Sequence, residues 1–216
     1  MLKLLIFDLD GTLADTAQDI TDALNYCVEP FGGKKYSVEE TMMMVGSGLT
    51  KFFSSLVQTL KGGDSPEALE IITRRYIDFY SVHLMDNTRL YPHVKETLSK
   101  LIGYKMAILS NKREGFSRKI LGDLGILEHF EILWGSDSVR EKKPSPVPIL
   151  NLMEKFGVSK EETAIIGDSN FDVEAGRAAG IKVIGVTYGF RDRSYLEGSD
   201  FIIDGFDKLS KIIPNM

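Results

Sequence analysis

Apolar residues fall into short unbroken runs along the chain: Leu4–Phe7, Met106–Leu109, Ile132–Trp134, Ala164–Ile166, Val183–Val186 and Phe201–Ile203. Runs of this length without polar alternation predict strands buried on both faces. Between them, apolar positions recur at helical spacing over Val94–Ile102, Phe116–Leu124, Val147–Phe156 and Val173–Ala179. Strands alternating with helices predict a parallel sheet covered on both sides. The expected fold class is α/β, with a doubly wound, Rossmann-like core.

The segment from about Thr16 to Thr88 breaks this alternation and reads as helix. Asn25 to Phe31 closes one helix at Gly32-Gly33. Leu49, Phe52, Phe53 and Leu56 mark a second. Leu69, Ile72, Tyr76 and Phe79 or Tyr80 mark a third, with Ser65 as its cap and Pro66 at its first position. The expected organisation is a core domain of residues 1–15 and 88–216 and a helical cap domain of residues 16–87. Linkers near Asp15-Thr16 and Thr88-Arg89 would let the cap move as a lid.

The first run ends in two carboxylates, Asp8 and Asp10, followed by Gly11. Ligands of open α/β sheets bind beyond the carboxyl ends of strands. Two carboxylates this close repel unless a cation, a positive side chain or a shared proton relieves them. A turn after a strand also uses Asp and Gly. A calcium loop does not fit, because Thr12, Leu13 and Ala14 follow where further oxygen ligands are needed.

Three later segments resemble this one in placement. Ser110-Asn111-Lys112 follows a strand and precedes a helix, so it reads as an anion site or as an ordinary helix cap. Lys142-Lys143-Pro144 offers an ammonium on a stiffened loop, and the pattern does not say which lysine points inward. Gly167-Asp168-Ser169-Asn170-Phe171-Asp172 puts Asp168 at a strand end, with Asp172 one helical turn on.

The net charge of −5 leaves no basic footprint for nucleic acid. Attraction of an anion must therefore be local. The single cysteine, Cys27, excludes an internal disulfide and points to a buried thiol in a reducing compartment. No apolar run is long enough for a membrane span. A soluble cytoplasmic protein is expected. His83, His93 and His129 lack metal-ligand spacing and read as surface or packing residues.

Taken in order, Asp8-Leu9-Asp10-Gly11-Thr12-Leu13, Ser110-Asn111, Lys143 and Gly167–Asp172 resemble the four motifs of the haloacid dehalogenase superfamily. The insertion between the first two resembles its C1-type cap. The resemblance implies that Asp8 is the nucleophile that forms an aspartyl-phosphate, and that Asp10 is the acid and base. It implies Mg²⁺ held by Asp8, the Asp10 backbone carbonyl and Asp168, with Asp172 in support. Thr12, Ser110, Asn111 and Lys143 would bind the phosphate.

Asp15–Ile20, Val45–Leu49, Lys143–Pro148 and Gly185–Phe190 further resemble phosphoglycolate phosphatases. Gly46 and Gly48 would then let cap backbone approach a small leaving group. His93 stands where that pattern has glycine. The implied partner is a small phosphorylated metabolite, acted on by a monomer or dimer. A β-phosphoglucomutase-like transferase, a pyrophosphatase and a non-catalytic phosphate-binding regulator remain the alternatives.

Overall fold

The computed structural model describes residues 1–46, 53–54, 56–58 and 66–216. Two compact units emerge: Met1–Asp15 with Arg89–Met216, and Thr16–Thr88.

The first unit is built on six parallel strands: β1 (Leu4–Phe7), β4 (Lys105–Leu109), β5 (Ile132–Trp134), β6 (Thr163–Gly167), β7 (Lys182–Val186) and β8 (Phe201–Ile203). Their order is β5-β4-β1-β6-β7-β8. The chain winds outward from β1 to β5, then restarts on the other side of β1 at β6. That reversal is where open α/β sheets place their sites. Every residue of β1 is buried, with Leu4, Leu5, Ile6 and Phe7 all at 0% exposure. Each such side chain contributes about 1.5–3 kcal/mol of burial.

Helices α4 (Val94–Lys100), α5 (Glu114–Asp123), α6 (Val147–Phe156), α7 (Asn170–Ala179) and α8 (Leu209–Ile212) complete the unit. The strand runs named above all form. The elements extend beyond some of those runs at their polar ends, where Lys105, Thr163 and Lys182 still pair in the ladder. A two-rung antiparallel ribbon, β2 (Ala14–Asp15) with β3 (Arg89–Leu90), joins the chain on either side of the insertion. Two residues per strand leave no periodicity to read.

The second unit is helical among its described residues. It holds α1 (Ala17–Val28), α2 (Val38–Met44) and α3 (Pro66–His83). A short 3₁₀ turn, Glu29–Phe31, ends the first helix, and Gly32 takes the left-handed conformation that stops it. Ser37 and Glu40 form a reciprocal capping box at the start of α2. On α3 the buried face is Ala68, Ile72, Tyr76 and Tyr80, so Tyr80 and not Phe79 continues the stripe. Phe79 stacks on Tyr26 of α1 instead, with centroids 4.4 Å apart. Phe53 and Leu56 are buried as a helical face requires. Leu49, Phe52 and the Ser65 cap lie outside the described residues.

Asp19 fastens this unit. It is 1% exposed. Its carboxylate accepts hydrogen bonds from the Asn87 and Thr88 backbone N–H groups, the Asn87 amide and the Thr88 hydroxyl, at 2.8–3.1 Å. Cys27 is fully buried, its Sγ donates to the Leu24 carbonyl, and burial pushes the thiol up to about 12. Such a thiol is inert at neutral pH.

Candidate active site

Strands β4, β1 and β6 are adjacent and in register, with Phe7 level with Ile108 on one side and Ile166 on the other. Their carboxyl ends therefore deliver Ser110, Asp8 and Asp168 to one edge. The Asp8 N–H donates to the Ile166 carbonyl at 3.0 Å, which prolongs the ladder by one rung. Chain direction then turns at Gly11, whose φ of 80° suits glycine. A β-carbon there would collide with the Asp168 carboxylate, and one at Gly167 would collide with Asp172. Both glycines thus make room for carboxylates.

Oxygens of Asp8, Asp168 and Asp172 lie within 4.8 Å of one another. Lys143 bridges two of these groups: its Nζ is 3.0 Å from Asp8 Oδ1 and 2.6 Å from Asp172 Oδ1. Lys143 is therefore the inward lysine, at 3% exposure. The Lys143–Pro144 peptide is cis, and the Asn111 amide donates to the Lys143 carbonyl at 2.9 Å. Asp172 also closes a capping box on α7, accepting from the Ser169 N–H and hydroxyl. Asp168 accepts from the Phe190 N–H at 2.7 Å and from the Thr12 hydroxyl at 3.3 Å. Tyr188 donates its hydroxyl to the Thr12 carbonyl and so ties the β7 loop to the β1 loop.

Burial raises the Asp8 pKa to about 6; the Lys143 ammonium opposes this, while Asp172 and Asp10 add to it. Burial, then the charges of Asp172 and Asp8, also hold the Asp168 carboxyl well above the usual range. Burial disfavours the Lys143 ammonium, yet Asp172 and Asp8 outweigh it and raise its pKa. Asp10 lies apart from the trio. Lys112 Nζ grips both its oxygens, at 2.8 and 3.0 Å.

Four carboxylates here face two ammonium groups, Lys112 and Lys143, and the buried Arg191 guanidinium, whose charge interacts with Asp168. The excess of negative charge, the hard oxygen donors and the raised carboxyl pKa values all fit one divalent cation. Asp8, Asp168 and Asp172 carry the oxygens close enough together to share one cation.

Of the residues singled out in the sequence, Asp8, Asp10, Thr12, Ser110, Asn111, Lys143, Asp168 and Asp172 belong to the first unit. Ser110 is buried, and its hydroxyl accepts from the Lys112 N–H. Gly46 belongs to the second unit and has φ 115°. Gly48 lies outside the described residues. Sequence reasoning missed the Asp10–Lys112 pair, the Ser169–Asp172 box and the Phe190 N–H. The available signal for Lys112 was its place two residues beyond Ser110.

Among the described residues, no helix is long and apolar enough to cross a membrane. The haloacid dehalogenase-like hydrolase family model matches residues 5–186. A phosphoglycolate phosphatase of Vibrio parahaemolyticus is 36% identical over 219 residues, covering 98% of this chain and 96% of its own length. One from Aquifex aeolicus is 35% identical over 191 residues, covering 88% of this chain and 86% of its own. The crystal structure of a predicted phosphoglycolate phosphatase from Haemophilus somnus superposes with a TM-score of 0.92 at 31% identity, covering 98% of each chain. With its acidic trio at the carboxyl edge of a doubly wound sheet, the chain belongs to the haloacid dehalogenase-like hydrolase family.

Proposed function

We propose that this hydrolase is a Mg²⁺-dependent phosphatase of small phosphomonoesters, with 2-phosphoglycolate as the preferred substrate. The observation that carries the chemistry is the buried Asp8–Asp168–Asp172 cluster bridged by Lys143. The substrate rests on the relatives that bear the phosphoglycolate phosphatase name at 33–36% identity.

Asp8 is the nucleophile. Its oxygen attacks phosphorus, the bond from phosphorus to the leaving oxygen breaks, and an aspartyl-phosphate forms. Asp10 gives its proton to the leaving oxygen. It then takes a proton from the water that attacks the acyl phosphate, and inorganic phosphate departs. Lys143 holds Asp8 ionised and in place. Ser110 and the N–H groups beyond it receive phosphate oxygens, while Asn111 fixes the Lys143 loop. Thr12 steadies Asp168. A bound Mg²⁺, with Asp8, the Asp10 carbonyl and Asp168 as ligands, would neutralise charge developing on the transferring group.

In this reading the Thr16–Thr88 insertion serves as the cap. One buried cysteine suits a cytoplasmic enzyme. The test is phosphate release with Mg²⁺ from 2-phosphoglycolate, pyrophosphate and glucose 1-phosphate. The expected order by kcat/KM puts 2-phosphoglycolate first. Faster turnover of pyrophosphate or the sugar phosphate would overturn the substrate. Full activity in excess EDTA would overturn the metal.

A further inference from the structure

We infer that the loop after β7, residues 188–191, is the positioning device of the metal site: it holds the Asp168 carboxylate in one orientation and so sets the affinity for Mg²⁺. This rests on the proposed Mg²⁺-dependent reading. The Phe190 N–H donates to Asp168 Oδ2 at 2.7 Å. Among the described residues, Oδ1 has a single donor, the Thr12 hydroxyl at 3.3 Å. A backbone donor cannot swing away as a side chain can. The loop therefore commits one oxygen of Asp168 and leaves the other the freer to meet a cation.

Gly189 lets the loop come this close. A β-carbon there would stand 2.3 Å from Asp168 Cβ, 2.3 Å from the Gly11 carbonyl oxygen and 2.6 Å from Asp168 Oδ2. Its φ lies outside the left-handed region, so the missing side chain serves space and not backbone conformation. Gly11 adds a second wall, since a β-carbon there would stand 2.2 Å from the same Oδ2. The loop is fastened on both sides of Gly189. The Tyr188 hydroxyl donates to the Thr12 carbonyl at 3.0 Å, and its ring packs on Tyr91 with centroids 4.7 Å apart. Arg191 is 7% exposed and lies over the Tyr195 ring, 5.5 Å from its centroid. Mg²⁺ demands near-ideal octahedral geometry at about 2.0–2.1 Å, so a small displacement of one ligand oxygen weakens it.

The experiment measures the Mg²⁺ dissociation constant of the metal-free protein by competition against Mn²⁺, whose free ion is counted by electron paramagnetic resonance. Thermal melts without metal are run alongside. Gly189→Ala is expected to raise the constant by about 10–100-fold, the range for groups that orient metal ligands. Gly185→Ala is the packing control. Its β-carbon on β7 would meet Ser199 Oγ at 3.0 Å and Leu196 at 3.2 Å, away from Asp168. It is expected to lower the melting temperature and to keep the wild-type constant.

A folded Gly189→Ala with the wild-type constant would overturn the inference. So would a Gly185→Ala that weakens Mg²⁺ as much as Gly189→Ala does, because general packing would then account for both. Should Gly189→Ala fail to fold, Tyr188→Phe decides, since it removes one hydroxyl and keeps the ring. A rise of about threefold or more supports the loop's role, and an unchanged constant overturns it. A wild type that binds neither ion and works in excess EDTA would instead bring down the metal reading on which the inference stands.

Discussion

Asp19 and Asp168 are both almost fully buried carboxylates, at 1% and 2% exposure, and their surroundings are opposite. Asp19 is surrounded by donors: backbone N–H groups of Asn87 and Thr88, an amide and a hydroxyl. Asp168 has one backbone donor and one long contact from Thr12, and it faces Asp8 and Asp172. A carboxylate whose lone pairs are met by neutral donors is a fastener. One set against other carboxylates is held at a cost, and the cost falls when a cation arrives. The contrast separates structure from chemistry more sharply than burial or residue type does.

The largest effect should come from the crowded side. Asp8→Asn is expected to remain folded and to lose on the order of 10³-fold or more in kcat, as removal of a catalytic group commonly does. Near-normal phosphate release by the folded variant would end its assignment as nucleophile.

Asp19→Ala should act on stability. It removes the acceptor that the buried Thr88 N–H and hydroxyl share with the exposed Asn87 donors, at a cost of about 3 kcal/mol. Chemical denaturation would show this, and a shift under about 1 kcal/mol would refute the fastener role. Asp8 and Asp19 are thereby predicted to separate: one variant is stable and inactive, the other weakened.

A smaller effect concerns pH. Asp8 has a folded-state pKa of about 6, above the ordinary value of 3.8. The metal-free folded protein therefore holds a proton that the unfolded chain has released between these values. The stability from this group is complete below pH 3.8 and is lost as pH rises through 6. It amounts to about 3 kcal/mol at most. A Mg²⁺ ion held by Asp8 would have to displace that proton, so the rise in melting temperature on adding Mg²⁺ should be larger at pH 7.5 than at pH 5. An equal rise at both values would contradict the crowding argument.

The smallest effect lies in the first unit, at His93. Its φ is 67°, and among the described residues it is the one non-glycine residue with positive φ. His93→Gly should relieve this strain and stabilise the protein by about 1 kcal/mol, offset in part by the greater freedom of glycine when unfolded. A melting temperature that falls would show that the imidazole has a contact worth more than the strain.

The sheet was legible because Leu4–Phe7 and Ala164–Ile166 are unbroken apolar runs, and double-sided burial demands such runs. Asp8 and Asp168 were legible because each directly follows such a strand. Pattern alone could not tell Lys143 from Lys142, since a loop carries no periodicity to assign inward and outward; the family resemblance singled out Lys143. The Asp10–Lys112 pair joins residues 102 positions apart, and only strand register brings them together. Asp19 stood out as part of a family-like segment. Its clasp on Asn87 and Thr88 depends on closure of the whole insertion, which local pattern does not encode.

The β2–β3 ribbon has a further consequence. Asp15 pairs with Arg89 and Ala14 with Leu90, so the chain leaves and re-enters the first unit through one two-rung ribbon. Exit and return are neighbours whatever lies between them. The 73 residues of Thr16–Thr88 could be exchanged for a segment of different length, or for a short turn, without altering any strand connection of the sheet. Such a doorway makes the insertion interchangeable: the module can be replaced while Asp8, Ser110, Lys143 and Asp168 keep their places at the sheet edge.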